Sequence, residues 1–415
     1  MFENSKVSNW IRSQSNWLSI YAIATLMYAL GWWYHYPYGG GHVYSDLIAV
    51  FQNRECLGGP CTFPLPYLQG FVEYPIITAY FMWGMGIIAS HSGSVAALLY
   101  NYYNLSVLIL ALPTFLTIRE IKKILVLLGV APERRTLLYF IVTPTFVFML
   151  LLNWYIIGTF FAFFGFRKFL EGDLRFATIL LGLSAASNLV TAIPALGIIY
   201  MLKSFRQKMV FAIGVASVYF LINLPFIVLN FKMWFSIWTY DESWYTEGSW
   251  FNVFFTNVDP ARHILFPLVL VTSLIAIILV SLRDKSEFKT KAIRVTWMVS
   301  FAYFFSTYIF TPQINVFLLP FFAIAPIATY YWEFLAFDIV NSLVILLGFS
   351  QALLVPFGIT YHFDAFGYWT IVQWCANIRS LWVGKFLIWD GLIRGRNRRQ
   401  LPKIIESKNV APSLK

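Results

Sequence analysis

Asp46 and Glu73 stand near the two ends of a polar stretch that interrupts a very apolar chain. The stretch opens Gly39-Gly40-Gly41-His42-Val43-Tyr44-Ser45-Asp46-Leu47 and closes Phe71-Val72-Glu73-Tyr74-Pro75. A carboxylate can take the proton of a hydroxyl as that hydroxyl attacks, provided it lies within hydrogen-bond reach. Asp46, just after the glycine turn, is the expected general base. The same run reads as a helix start, in which Ser45 or Asp46 would instead cap free backbone N–H groups. Glu73 is the competing acid, expected to brace the loop or hold a substrate, with Tyr44 and His42 as neighbouring substrate contacts.

Composition says what must carry this loop. Of 415 residues, 59% are hydrophobic and 12% charged, where soluble domains carry about 25% charged residues. The chain is therefore expected to be an all-α, polytopic integral membrane protein. A spanning helix takes roughly 20 apolar residues, which leaves room for about 10–12 spans and no separate soluble domain. Residues 1–390 read as one transmembrane domain and 391–415 as a basic tail. The polar start of the chain has no small-residue cleavage site after its first apolar run, so no cleavable signal peptide is read there.

The first span is expected over 17–36 and closes on Trp32, Trp33, Tyr34 and Tyr36, residues suited to a membrane interface. Residues 76–88 are too short to cross and read as an interfacial or re-entrant helix. Further spans are expected over 95–118, 211–229, 265–280, 295–310, 316–331, 335–355 and 369–389. Two pairs of shorter segments, 136–152 with 154–166 and 176–186 with 189–202, hinge at Asn153 and at Ser187-Asn188. Segments this short are expected to stop inside protein or at a water-filled cavity.

Charge gives the expected orientation. Of the 30 Lys and Arg residues, 25 fall in alternate loops and the two ends: the N-terminal arm, 119–135, 167–175, 203–208, 283–294 and the tail. Basic loops stay cytoplasmic, so both termini are expected inside, and loops 37–75 and 231–263 outside, forming an active-site face. The net charge of +11 then reflects topology and anionic lipid, not a nucleic-acid partner. Glu55 and Glu247 read as solvated loop acids.

Several motifs together resemble a known family. Asp46 early in the first outer loop, followed by Glu73-Tyr74-Pro75, is similar to the GT-C superfamily of integral-membrane glycosyltransferases. The nearer likeness is to its polyprenyl-phosphate-mannose-dependent α-mannosyltransferase branch. Asn153-Trp154, Asn223-Leu224-Pro225 before Trp234, and Thr311-Pro312-Gln313 before Leu318-Leu319-Pro320 continue the likeness in order. Two features depart from it: Tyr155 stands where the family often has an acid, and no lysine lies near Asn188–Pro194.

The resemblance implies an inverting transfer of a sugar, mannose above others, from a polyprenyl- or dolichyl-phosphate carrier to a lipid or glycan acceptor. Asp46 would be the base, with Glu73, Trp234, Asp241 and Gln313 as substrate contacts. The lipid-phosphate sugar is a co-substrate; no cofactor or metal is implied. The leaving phosphate calls for positive charge, and Arg262-His263 is the expected site, with Lys232 as a further candidate. Arg262 read alone can equally anchor its helix at the headgroups. Cys56 and Cys61 are expected to form a disulfide on an oxidising face, while Cys375 is isolated. The rival reading is a transporter or lipid flippase, but no repeat is found and mid-span acids are scarce. A non-catalytic homologue is a third reading.

The orientation has a direct test. A cysteine in place of Ser243 should react with a membrane-impermeant maleimide in intact cells. Labelling only after permeabilisation would invert the proposed topology.

Overall fold

Regular backbone in this chain is helical wherever it is described. The computed structural model describes residues 2–37, 43–55, 61–255, 259–350 and 369–394, and the single positions 353, 355, 358 and 364. Among these residues there is no strand, only two isolated bridges, Pro66 with Gly70 and Glu247 with Ile309. Lipid gives the backbone no water to bond, so N–H and C=O groups must be satisfied within the chain, which a helix does locally.

The described residues form fifteen α-helices, in order. The first eight are α1 (Phe2–Tyr34), α2 (Asp46–Glu55), α3 (Ile76–Ala89), α4 (Val95–Leu127), α5 (Pro132–Thr136), α6 (Pro144–Phe148), α7 (Tyr155–Leu170) and α8 (Leu174–Ser187). Then come α9 (Pro194–Met201), α10 (Phe205–Ser243), α11 (Ala261–Leu282), α12 (Phe288–Ser306), α13 (Asn315–Ile324), α14 (Tyr331–Gly348) and α15 (Ile371–Lys385). Among the described residues, four stretches are long and apolar enough to cross a membrane: Val95–Leu127, Phe205–Tyr240, Ala261–Leu282 and Tyr331–Gly348. On α10 and α11 the apolar side chains point outward, with Val228 and Ile264 each 73% exposed. That is surface a bilayer would cover.

Several expected boundaries move, each for a local reason. The segment 119–135 is not a loop throughout, because α4 runs through Arg119 to Leu127. It can do so because Glu120, buried in the interior, pairs with Arg167 of α7. Residues 136–152 do not form one segment. Pro144 opens α6 and holds Thr143 extended, as a residue before proline prefers, and a π-helical turn at Leu137–Ile141 precedes it. The hinge at Asn188 is real: φ −159° and ψ 116° end α8, and its Oδ1 accepts the Val190 N–H at 3.2 Å. The loop 231–263 begins as helix, since α10 continues past a kink at Asn230 (φ −154°, ψ 72°). There Asn230 Oδ1 restarts the helix by accepting from Met233 N–H at 3.2 Å.

At the centre lies α13, ten residues long, all of them buried. Its last carbonyls would be orphaned in an apolar core. Arg135 takes them instead, donating to the carbonyls of Ala323 at 2.6 Å, Ala325 at 2.8 Å and Phe322 at 3.1 Å.

The helix that carries Asp46 is pinned by aromatics. Phe51 of α2 is fully buried and stacks on Tyr102 of α4, ring centroids 3.6 Å apart and planes 9° from parallel. Gly86 of α3 makes room for it: an added Cβ would come 2.7 Å from the Phe51 ring and 2.8 Å from that of Phe63. With Tyr102 behind it, the Phe51 ring has nowhere to retreat. Gly86→Ala should therefore cost about 1–3 kcal/mol, as overpacking does. Thermal melting in detergent checks this against Gly84→Ala, whose methyl would meet nothing within 4 Å. Equal melting temperatures for the two variants would refute the packing argument.

Candidate active site

The interruptions of the bundle converge on a cavity of about 850 Å³. The first polar loop contributes Asp46, Arg54 and Glu73, and the second contributes Trp238, Tyr245 and Glu247. Both hinge asparagines, Asn153 and Asn188, line it too, as does Gln313. Irregular backbone at membrane depth is tolerated where it lines a cavity, and here the breaks in the helices do so.

Asp46 begins α2, and its carboxylate reaches the segment before α7. Its Oδ2 accepts from Asn153 Nδ2 at 3.0 Å, and the same amide nitrogen lies 3.0 Å from the Tyr74 hydroxyl. Tyr44 and Tyr74 also hydrogen-bond the carboxylate. Next to it, the Ser45 hydroxyl donates to the Leu151 carbonyl at 3.0 Å, and Leu47 N–H to the Leu152 carbonyl at 3.3 Å. These bonds tie α2 to the approach of α7. They account for both side chains without a cap.

Burial raises the Asp46 carboxyl above the ordinary carboxylate range. Hydrogen bonds from Asn153, Tyr44 and Tyr74 oppose the rise, and the charge of Glu73 adds to it. Burial likewise raises the Tyr44 and Tyr74 hydroxyls, which the Asp46 charge pushes higher. Both tyrosines therefore remain protonated donors. The resulting carboxylate is held in place by neutral groups and accepts protons readily.

Glu73 is built differently. Its Oε2 takes the Arg54 Nε at 2.8 Å, and that guanidinium lies 5.2 Å above the Phe71 ring. Tyr240 bonds to Arg54 as well. Glu73 is a paired acid that ties α2 to the end of the first loop.

Asp46, Glu73, Tyr44, Trp234, Gln313 and His263 all line the cavity. Trp234 spends its indole N–H on Asn223 Oδ1 at 2.7 Å, within α10. Arg262 does not line it. This side chain is 2% exposed, donates to the Glu242 carbonyl at 3.2 Å and lies 4.6 Å over the Tyr308 ring. Nor does Lys232, which is exposed on α10. Among the described residues, the arginine that lines the cavity is Arg54. His42 and the side chains of Asp241 and Glu55 lie outside the described residues. Cys61 is disulfide-bonded and Cys375 is a free thiol, while Cys56 lies outside the described residues.

Two groups escaped the sequence reading. Glu247, expected to be solvated, lines the cavity and accepts from Trp244 Nε1 at 2.9 Å. Asp338 is a fully buried acid within the α14 stretch, accepting the Thr145 N–H at 3.0 Å. Neither sits in a motif. The signal for Glu247 was its place directly before Gly248, at a turn among aromatics. Compared with known families and curated proteins, the chain matches no family model and no curated sequence.

A stability measurement tests the Asp46 environment. A raised carboxyl means that the folded state binds its proton more tightly than the unfolded one. The penalty for burying the charge is absent below the ordinary carboxylate range and grows as pH rises through the raised one. Asp46→Asn should therefore melt a few degrees above the parent near neutrality, with the two curves converging towards about pH 4. A variant less stable than the parent at neutral pH would contradict this environment.

Proposed function

We propose that the protein is a multi-pass membrane glycosyltransferase of the GT-C type. In this reading it moves a sugar, mannose above others, from a polyprenyl phosphate to a glycolipid or glycan acceptor on the outer face. The observation that carries the reading is the Asp46 site: a carboxylate held by three neutral donors on the wall of a cavity to which both polar loops contribute. The chemistry is a single displacement. The acceptor hydroxyl attacks the anomeric carbon, the bond from that carbon to the phosphate oxygen breaks, and Asp46 takes the hydroxyl proton. One displacement inverts the anomeric centre.

The phosphate leaves as a stable anion, so the site needs positive charge or donors rather than an acid. His263, expected for this role, lines the cavity, and Arg54, which lines it too, takes the part expected of Arg262 and Lys232. Glu73 then shares Arg54 with the phosphate and positions it. The basic bias of the alternate loops supports an outward-facing cavity with both termini inside.

The test uses purified protein in lipid, polyprenyl-phosphate mannose as donor and methyl α-mannoside as acceptor. Asp46→Asn should lower transfer by about 10²–10⁴-fold, the worth of an acid–base group, while donor binding persists. Glu73→Gln should lose less. Near-normal turnover in Asp46→Asn with a dead Glu73→Gln would reverse the two roles. No effect from either change would remove the enzyme reading of this cavity.

A further inference from the structure

Glu247 sits in a rigid mount. Its N–H donates to the Tyr308 carbonyl at 2.9 Å, and its carbonyl accepts the Phe310 N–H at 2.8 Å. The next residue, Gly248, has φ +64°, and an added Cβ would come 2.8 Å from Arg379 Nη2. Only glycine meets both demands. Beneath this turn lies Arg379 of α15, fully buried. Its Nη2 donates to the Gly248 carbonyl at 2.7 Å and to that of Phe310, and its Nη1 donates to Asn341 Oδ1 at 2.8 Å. The guanidinium also lies 4.0 Å over the Phe310 ring. Asn341 is itself fixed, its amide donating to Thr145 Oγ1 and to the Pro312 carbonyl, both at 3.1 Å.

A buried arginine thus clasps both segments of the bridge that presents Glu247. Desolvating a guanidinium is costly, and a purely structural staple needs no charge. What the charge does is act on Glu247 across the turn. Of the other cavity acids, Glu73 is occupied by Arg54 and Asp46 by its three donors, while Glu242 is exposed near the end of α10. Trp244 holds Oε2 of Glu247, and among the described residues no side chain bonds its Oε1.

We infer that Glu247 is a second substrate-binding carboxylate of the cavity, gripping hydroxyls of the acceptor sugar, and that Arg379 is the positioning residue that fixes it. This rests on the glycosyl-transfer reading. An ionised carboxylate only accepts hydrogen bonds, so it suits a ligand rich in hydroxyls. It repels a phosphate, which assigns it to the uncharged acceptor rather than to the donor's leaving group. Trp244 and Tyr245, ring centroids 4.7 Å apart, line the cavity beside it and offer apolar faces to a sugar.

The titratable groups around Glu247 set the sign of its pH response. Asp46 and Tyr44 act on it from the first loop, Tyr245 from its own turn and Arg379 from α15, while Arg54, Glu73, Glu242, His263 and Tyr308 line the same cavity. Burial raises the carboxyl, the Trp244 bond opposes this, Asp46 adds to it and Arg379 lowers it. Removing the Arg379 charge therefore moves the carboxyl further up.

The experiment uses the same donor and methyl α-mannoside. Glu247→Gln should raise the acceptor KM roughly ten- to a hundredfold, the worth of one charge-assisted hydrogen bond, with the donor KM unchanged. Arg379→Gln should move the Glu247 contribution to the acid-side limb of the acceptor kcat/KM to higher pH, and Glu247→Gln should remove that contribution while leaving the one due to Asp46. A merely structural arginine would change the yield of folded protein without moving the Glu247 contribution. If Arg379→Gln does not fold, the Glu247→Gln arm decides alone. An acceptor KM unchanged in Glu247→Gln while Asp46→Asn is dead overturns the inference and leaves the glycosyl-transfer reading intact. A parent protein that transfers no sugar overturns both.

Discussion

The bond from Asn153 to Asp46 joins two places where the chain stops being a helix. It spans 107 residues of sequence, linking the start of α2 to the break before α7. Around it the Ser45 hydroxyl and the Leu47 N–H bond the Leu151 and Leu152 carbonyls, and Tyr74 closes the group from the far end of the loop. Unpaired polar groups are costly in an apolar interior. The two breaks are stable because each satisfies the other. The cavity is the space left where such breaks meet.

That constraint also explains what was legible in the sequence. The apolar stretches that became α10 and α11 could be read because their exposed apolar side chains need little but lipid to cover them. The hinge at Asn188 was readable too, since a polar pair inside an apolar run has few structural explanations. The helix start at Asp46 followed from local chemistry. By contrast, α4 was cut short in the reading because Arg119 and Lys122 look like a loop. Only the buried Glu120–Arg167 pair, made between distant segments, shows that a helix can carry charge there.

Arginine roles were the least legible, for the same reason. Arg54, Arg262 and Arg379 look alike in sequence, each with no other Lys or Arg within five residues. Their partners decide between them. A tyrosine ring and a backbone carbonyl hold Arg262 off the cavity, and three acceptors fix Arg379 under its wall. Arg54 is left on the cavity surface, 29% exposed and paired to Glu73. A guanidinium's fork of donors makes it equally fit for a carbonyl, a carboxylate or a phosphate. Which one it meets is set by segments far away in the chain.

Pairing also sorts the acids, and this bears on mechanism. Glu73 is balanced by Arg54 within 2.8 Å, and Glu247 feels the charge of Arg379. The groups that act most strongly on Asp46 are neutral donors and a further acid. A neighbouring cation stabilises an ionised carboxylate, though at Glu247 burial outweighs it. A carboxylate held in position by uncharged donors keeps its proton affinity while losing its freedom to move. A general base works best with a proton affinity brought towards the operating pH; burial raises both Asp46 and Glu247, and the proposed mechanism uses Asp46, the one that Asn153, Tyr44 and Tyr74 hold with neutral donors. For the proposed anionic donor, the pairing of Glu73 with Arg54 offsets one of the four negative charges that Asp46, Glu73, Glu242 and Glu247 bring to the cavity wall.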